Sequence, residues 1–160
     1  MSKVNLGYCC INLTLDEQGI KIGRSMIKRT FQQKGIKYAG ELAEANVRDM
    51  IEIIKWNHRN GIKVYRMSSS MFPWMSEYEL TDLPNWSTIS NLLKGSGTLV
   101  QKYGQRVGFH PGQFCVLPSP TKKVVDATVK ELNQHAEILD AMGLPVNQYY
   151  SMNIHLGGSY

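Results

Sequence analysis

Strand-like and helix-like segments alternate along the chain as β-α-β-α-β-α-β, and each intervening helix is long enough for a right-handed parallel crossover. The residues that carry chemistry cluster just after the strand segments, where parallel α/β folds gather their functional groups. Together these observations predict an α/β fold of parallel (β/α) units: the N-terminal half of a TIM barrel, with four strands and three crossover helices in one domain, 1–160. A small doubly wound domain is the alternative, but a helix covering the last strand would then be usual. The sequence instead runs from its fourth strand into GGSY, and a whole barrel needs about 250 residues. The C-terminal half is therefore expected to be absent. Open strand edges then call for a C-terminal half in trans, self-association, or a truncated chain.

The elements follow in order. Residues 4–13 alternate and read as the first strand. Residues 41–60 read as a helix with Ala43, Val47, Met50, Ile51, Ile54 and His58 on one face, Lys55 and Arg59 in the last turn, and Gly61 as the stop. Residues 62–67, IKVYRM, are the second strand. A Pro-containing loop leads to a weaker helix over 87–103, softened by Gly95 and Gly97, and Arg106 to Phe109 is the third strand. Ser119 as N-cap and Pro120 at the first helical position start the next helix, with Val125, Val129, Leu132, Ala136 and Leu139 as its inner stripe. Residues 150–156, YSMNIHL, are the fourth strand.

Composition excludes several classes. Apolar content is 42% and charged content 19%, as in ordinary globular proteins, and no apolar run approaches the roughly 20 residues of a membrane span. The N-terminus lacks a signal-peptide pattern, so an intracellular protein is expected, cytoplasmic or nuclear. Three cysteines make no disulfide framework; Cys9 or Cys10 is expected as a small buried apolar residue. The net charge of +5 is concentrated: residues 21–37 hold Lys21, Arg24, Lys28, Arg29, Lys34 and Lys37 and no acid. Such a cluster suits a polyanion backbone, or is a solvated loop.

At the strand ends, His110 and His155 are close enough on neighbouring strands to share a metal ion, or are hydrogen-bonded structural residues. Glu77 and Glu79 are the nearby carboxylates. Tyr8 and Asn12 come from strand one; Arg66, Ser68, Ser69, Trp74 and Asn153 are further rim candidates. His58 and His135 read as ordinary helix residues. Gln113 and Phe114 sit on the HPGQF turn, where an aromatic either anchors a loop or inserts between displaced bases. Trp74, Tyr78 and Tyr8 are candidates for base stacking. The GSG at 95–97 follows no strand, so it is not a phosphate loop.

Several motifs then carry a resemblance: LGYCCINLTL, Asn46 with WNHRNGIKVYRMSSSMFPW, RVGFHPGQF with LPSP, and HAEILDAMGL with MNIHLGG. In this order and spacing the chain resembles the UV damage endonucleases, from about residue 4 to the last residues. The resemblance implies a barrel related to endonuclease IV-type apurinic endonucleases, with up to three divalent ions, most often manganese. It implies incision 5′ of UV photoproducts in double-stranded DNA, during excision repair. By the same resemblance His110 and His155 are metal ligands, Gln113 and Phe114 probe the duplex opposite the lesion, and Tyr8 and Asn12 line the active-site floor. Lys21, Arg24, Lys28, Arg29 and Lys34 fall in the loop after strand one, on the DNA side. Carboxylate ligands in this family come from strands five to eight, and FPWMSEY lacks the histidine some members carry there. The 160-residue chain is thus expected to be inactive alone. Alternatives are a non-catalytic DNA-binding half-barrel, an apurinic endonuclease, or a metal-dependent sugar isomerase, against which the strand-one and RMSS motifs argue.

Overall fold

The computed structural model describes residues 4–157; residues 158–160 of the matching tail lie outside the described residues, as do residues 1–3. Strand β1 (Gly7–Cys9) leads through helix α1 (Leu13–Asp16) to the long α2 (Lys28–Arg59), then β2 (Val64–Met67), α3 (Trp86–Tyr103), β3 (Arg106–Phe109) and α4 (Lys122–Ala141). Two 3₁₀ turns, Met75–Glu77 and Leu80–Asp82, fill the loop after β2. The strands pair in parallel in chain order, with Tyr8 opposite Tyr65 and Tyr65 opposite Val107. The fourth predicted strand is reduced to one parallel bridge, Phe109 to Met152, held by Phe109 N–H on the Ser151 carbonyl and Asn153 N–H on the Phe109 carbonyl. Four neighbouring segments in chain order, with no reversal, match a barrel wall rather than a doubly wound sheet.

Burial alternates along the strands. Tyr65, Met67, Val107 and Phe109 are buried among the helices, whereas Val64, Arg66, Arg106 and Gly108 face the other way and stay accessible. The helix-side core adds Ala43, Val47, Met50 and Ile54 from α2, Ile89, Leu93 and Val100 from α3, and Ile138 from α4. The opposite face is bare, apart from a hollow of about 260 Å³ lined by residues of β2, β3 and the 151–153 segment.

Five sequence expectations are corrected. The first strand is three residues, because Asn12 caps α1 by accepting from Leu15 N–H at 3.1 Å and turns the chain out of the sheet. Helix α2 begins at Lys28, not in the forties: Phe31 stacks beside Trp74 and Tyr78 (6.1 and 6.3 Å between centroids) and anchors a polar first turn, across a break at Gly35 (φ 67°). Its inner face carries Asn57, while His58 is exposed and stacks on Tyr103 at 3.9 Å. On α4 the buried residues are Thr128, Gln134, His135 and Ile138; Val129 is exposed. That rotation follows from partners that satisfy the polar members: Thr128 accepts from Val116 N–H, and Gln134 donates to the Met75 and Tyr78 carbonyls at 2.7 Å. Helix α4 starts at Lys122 because Ser119 accepts from Thr121 N–H in the turn before it.

Packing of α3 on α4 requires a residue without a side chain at Gly97, where a methyl group would overlap the Met142 carbonyl; Gly95, on the same helix, faces open space. Gly97→Ala is expected to lower stability by about 1–3 kcal/mol through overpacking. Gly95→Ala should raise it by up to about 1 kcal/mol through helix propensity. Urea denaturation of both variants checks the contrast. His135 supplies a second test. It is buried edge-on to Phe109 (4.8 Å), with Nδ1 at 2.8 Å from the Glu131 carbonyl, and burial holds its pKa below the usual imidazole value despite that bond. The unfolded chain therefore binds the extra proton first as pH falls below about 6.5, and stability should decline from there down to the folded-state pKa. Denaturation midpoints between about pH 7.5 and about pH 5.5 should fall more steeply for the wild type than for His135→Asn; parallel slopes would count against this account.

Candidate metal and nucleic-acid site

At the carboxyl end of β3 the chain leaves the sheet at His110. Its ring lies 4.3 Å from that of His155, centroid to centroid, with an angle of 38° between the planes. The bridge at Phe109 and Met152 brings the two histidines together, since each follows its bridge residue by one and three positions. Arg66 of β2, whose register partner on β3 is Gly108, donates from Nη1 to His110 Nδ1 at 3.2 Å. A guanidinium can only donate, so His110 Nδ1 accepts and the neutral ring carries its proton on Nε2. Partial removal from water first, then His155 and the Arg66 charge, hold His110 below the ordinary imidazole pKa. Both rings are half-buried and face no carboxylate, and no group of three His, Cys, Asp or Glu able to hold a metal occurs among the described residues.

The turn that follows is pinned at both ends. Pro111 and Cys115 are buried, Cys115 N–H bonds the Gly112 carbonyl at 3.0 Å, and Val116 N–H bonds Thr128. Burial, with Glu131 beside it, pushes the Cys115 thiol up to about 12, so it stays protonated as a packing group. Between the pins Gln113 and Phe114 project outward, and Phe114 is 82% exposed. An aromatic left this bare on an anchored loop is not serving as the loop's anchor.

The other candidates divide. Tyr8 and Asn12 join each other rather than the histidines: Asn12 Nδ2 donates to Tyr8 Oη at 2.9 Å and Tyr8 donates to Asn57 of α2 at 2.7 Å. Tyr8 lies beside Tyr65 on the helix side of the sheet, and burial raises its pKa. Ser68 hydrogen-bonds Ser70 and shapes the turn after β2, and Ser69 borders a 140 Å³ polar hollow with Ser25, Ser76 and Glu131. Asn153 is exposed and lines the hollow on the bare face. Neither Trp74 nor Tyr78 is free to stack on a base. Trp74 donates to the Met26 carbonyl, and Tyr78 is buried and donates to the Pro73 carbonyl. Glu77 and Glu79 are exposed; Glu79 pairs with Lys130. Cys9 is exposed on the bare face and Cys10 half-buried, against the expectation of burial.

Of the basic residues, Lys21, Lys28, Arg29 and Lys34 are exposed, but Lys28, Arg29 and Lys34 lie on α2 rather than in a loop. Arg24 is committed internally: its guanidinium pairs with Asp49 at 2.6 Å and donates to the Lys21 and Gly19 carbonyls. Asn46, buried on the same helix, clasps both Arg24 backbone groups and the Met71 carbonyl. Asp49 and Asn57 were the residues sequence reasoning missed. Asn57 carried a signal, since like Asn46 it interrupts an apolar helix stripe.

The family model described as UV-endonuclease UvdE matches residues 4–160. A UV-damage endonuclease of Schizosaccharomyces pombe is 35% identical over 159 residues, covering 97% of this chain and 26% of that protein. A putative UV-damage endonuclease of Acanthamoeba polyphaga mimivirus is 34% identical, covering 98% and 48%. The crystal structure of SacUVDE matches with a TM-score of 0.84 at 27% identity, over 98% of this chain and 50% of that one. The chain therefore spans half or less of the length of these relatives.

Because Arg24 is tied to Asp49 and two carbonyls, Arg24→Ala should cost about 1–2 kcal/mol, whereas Lys28→Ala and Arg29→Ala should stay within about 0.5 kcal/mol. Urea midpoints of the three variants check this; equal effects would mean that Arg24 is as free as its neighbours.

Proposed function

The chain belongs to the UV-endonuclease UvdE family, and from that premise we propose that it serves DNA repair by nicking duplex DNA 5′ of UV photoproducts through metal-assisted hydrolysis. The observation that carries the reading is the coupling of two features on one short stretch. The His110–His155 ring pair closes β3, and the bare Phe114, with Gln113, stands on a pinned loop four residues further on.

Two of the donors a divalent metal needs are present: two imidazoles converge, and neutral imidazole is the ligand form that His110's lowered pKa favours, while manganese is what the family resemblance, not this donor pair, implies. When bound, such an ion supplies Lewis acidity at a phosphoryl oxygen and lowers the pKa of water. His110 and His155 would hold it. Since Arg66 occupies His110 Nδ1, ligation requires the ring to give up either that hydrogen bond or its Nε2 proton. Gln113 and Phe114 enter the duplex where a photodimer has already weakened pairing and stacking, so distortion rather than base identity is read. Lys21, Lys28, Arg29 and Lys34 neutralise backbone phosphates. No helix among the described residues is long and apolar enough to cross a membrane.

A second reading has its own support. With two imidazoles and no third ligand grouped among the described residues, a metal is held weakly, so the 160 residues alone recognise damage without cutting. Both readings share the wedge. Phe114→Ala should therefore reduce the preference for UV-irradiated over unirradiated duplex by about tenfold, since base–aromatic stacking is worth roughly 1–3 kcal/mol. Its stability should hardly change. Fluorescence anisotropy in chelator gives the preference; supercoiled-plasmid nicking with manganese, against chelator, separates the readings. UV-dependent nicking by the chain alone would sink the second, and an unchanged preference in Phe114→Ala would sink the wedge.

A further inference from the structure

On the bare face of the sheet, Arg66 carries a charge that no carboxylate meets among the described residues. Arg66 has Cys9 and Gly108 as its register neighbours on either side, neither of which carries charge. Its recorded hydrogen bond is the one from Nη1 to His110, it enters no ion pair among the described residues, and its Nε is enclosed with no partner. The adjoining 260 Å³ hollow is lined by Arg66, Arg106, Ser151, Asn153 and apolar or glycine residues of β2 and β3, with no carboxylate in its wall. Gly108 contributes no side chain there, and the Ser151 carbonyl closes over that position. Arg106 is partly occupied, by the Tyr149 carbonyl and Ser151 Oγ, leaving Arg66 the less satisfied of the two guanidinium groups.

A half-buried guanidinium with unused donors and no counter-charge is the chemistry that a phosphate oxygen matches, as a planar fork to two acceptor atoms. We propose that Arg66 is the anion seat of the site: it binds a phosphodiester oxygen of the DNA beside the two imidazoles. This rests on the DNA-substrate reading above and adds to it a residue and a chemical class. The same movement has a second effect. An anion that draws the guanidinium toward itself releases His110 Nδ1, so phosphate capture and the freeing of a histidine nitrogen are one event.

The test uses the full chain, chelator throughout, and inorganic phosphate as the probe. Histidine ring C2–H resonances are followed by NMR at constant pH, with chloride at matched ionic strength as the control. A saturable shift of the His110 resonance is expected for the wild type. Arg66→Met should abolish it, and Arg66→Lys should keep it about tenfold weaker, because an ammonium lacks the two-donor fork. Circular dichroism melting reports whether each variant folds, and if Arg66→Met does not, Arg66→Lys decides. A wild-type response no larger than that to chloride overturns the proposal, as does an undiminished response in either variant. Phosphate carries no lesion, so the result stands whether or not the chain prefers UV-irradiated DNA, and a failure of that preference is told apart from a failure of the anion seat.

Discussion

Everything at the site follows from a sheet covered on one face only. Three parallel strands require crossover connections, and α2, α3 and α4 supply them while packing against Tyr65, Met67, Val107 and Phe109. Side chains alternate along a strand, so the same register that buries those four sends Arg66, Arg106 and Gly108 to the bare side. A one-residue slip of β2 would exchange Tyr65 with Arg66 and put a charge into the helix-side core. The core and the functional face are thus one decision made by the chain.

Polar residues inside the helix layer then fix the loops that the face depends on. Asn46 holds the turn at Arg24 to the loop after β2, and Gln134 fastens that loop's first 3₁₀ turn to α4. Each of these amides hydrogen-bonds backbone carbonyls of a loop, and a buried carbonyl left unpaired costs about 1–3 kcal/mol. The Arg24–Asp49 pair works in the same way, and a cation from the basic cluster is thereby turned inward. Of the cations left exposed, Lys28 and Arg29 lie in the first turn of α2, where the helix macrodipole is repulsive to them and attractive to an anion.

Much of this was legible in the residues. The third strand, Arg106–Phe109, occupies the predicted residues, and the 3.6-residue period located α2's apolar stripe, because both signals are local. The closeness of His110 and His155 was legible too, as strand-end positions on neighbouring segments. What was not legible depended on partners distant in sequence. Phe31 extends α2 only because two aromatic rings lie 43 and 47 residues further on. Helix α4 turns a histidine and a glutamine inward because their acceptors belong to its own backbone and to the loop after β2. Tyr8 looked like a rim residue, yet its hydroxyl is claimed by Asn57, 49 positions away.

The clasped turn between Pro111 and Cys115 bears on the timing of recognition. A free loop would have to lose about 1–2 kcal/mol of backbone freedom per residue before it could enter a duplex. Here Pro111, Cys115 and the bond from Val116 to Thr128 have already restricted it. On the proposed wedge reading, the Phe114 ring would meet every stretch of DNA in nearly its final posture. Encounter with sound and damaged duplex should then be equally fast, leaving residence time as the quantity that tells them apart. On that reading, search along undamaged DNA would stay quick, and a lesion would be recognised by how long it detains the protein.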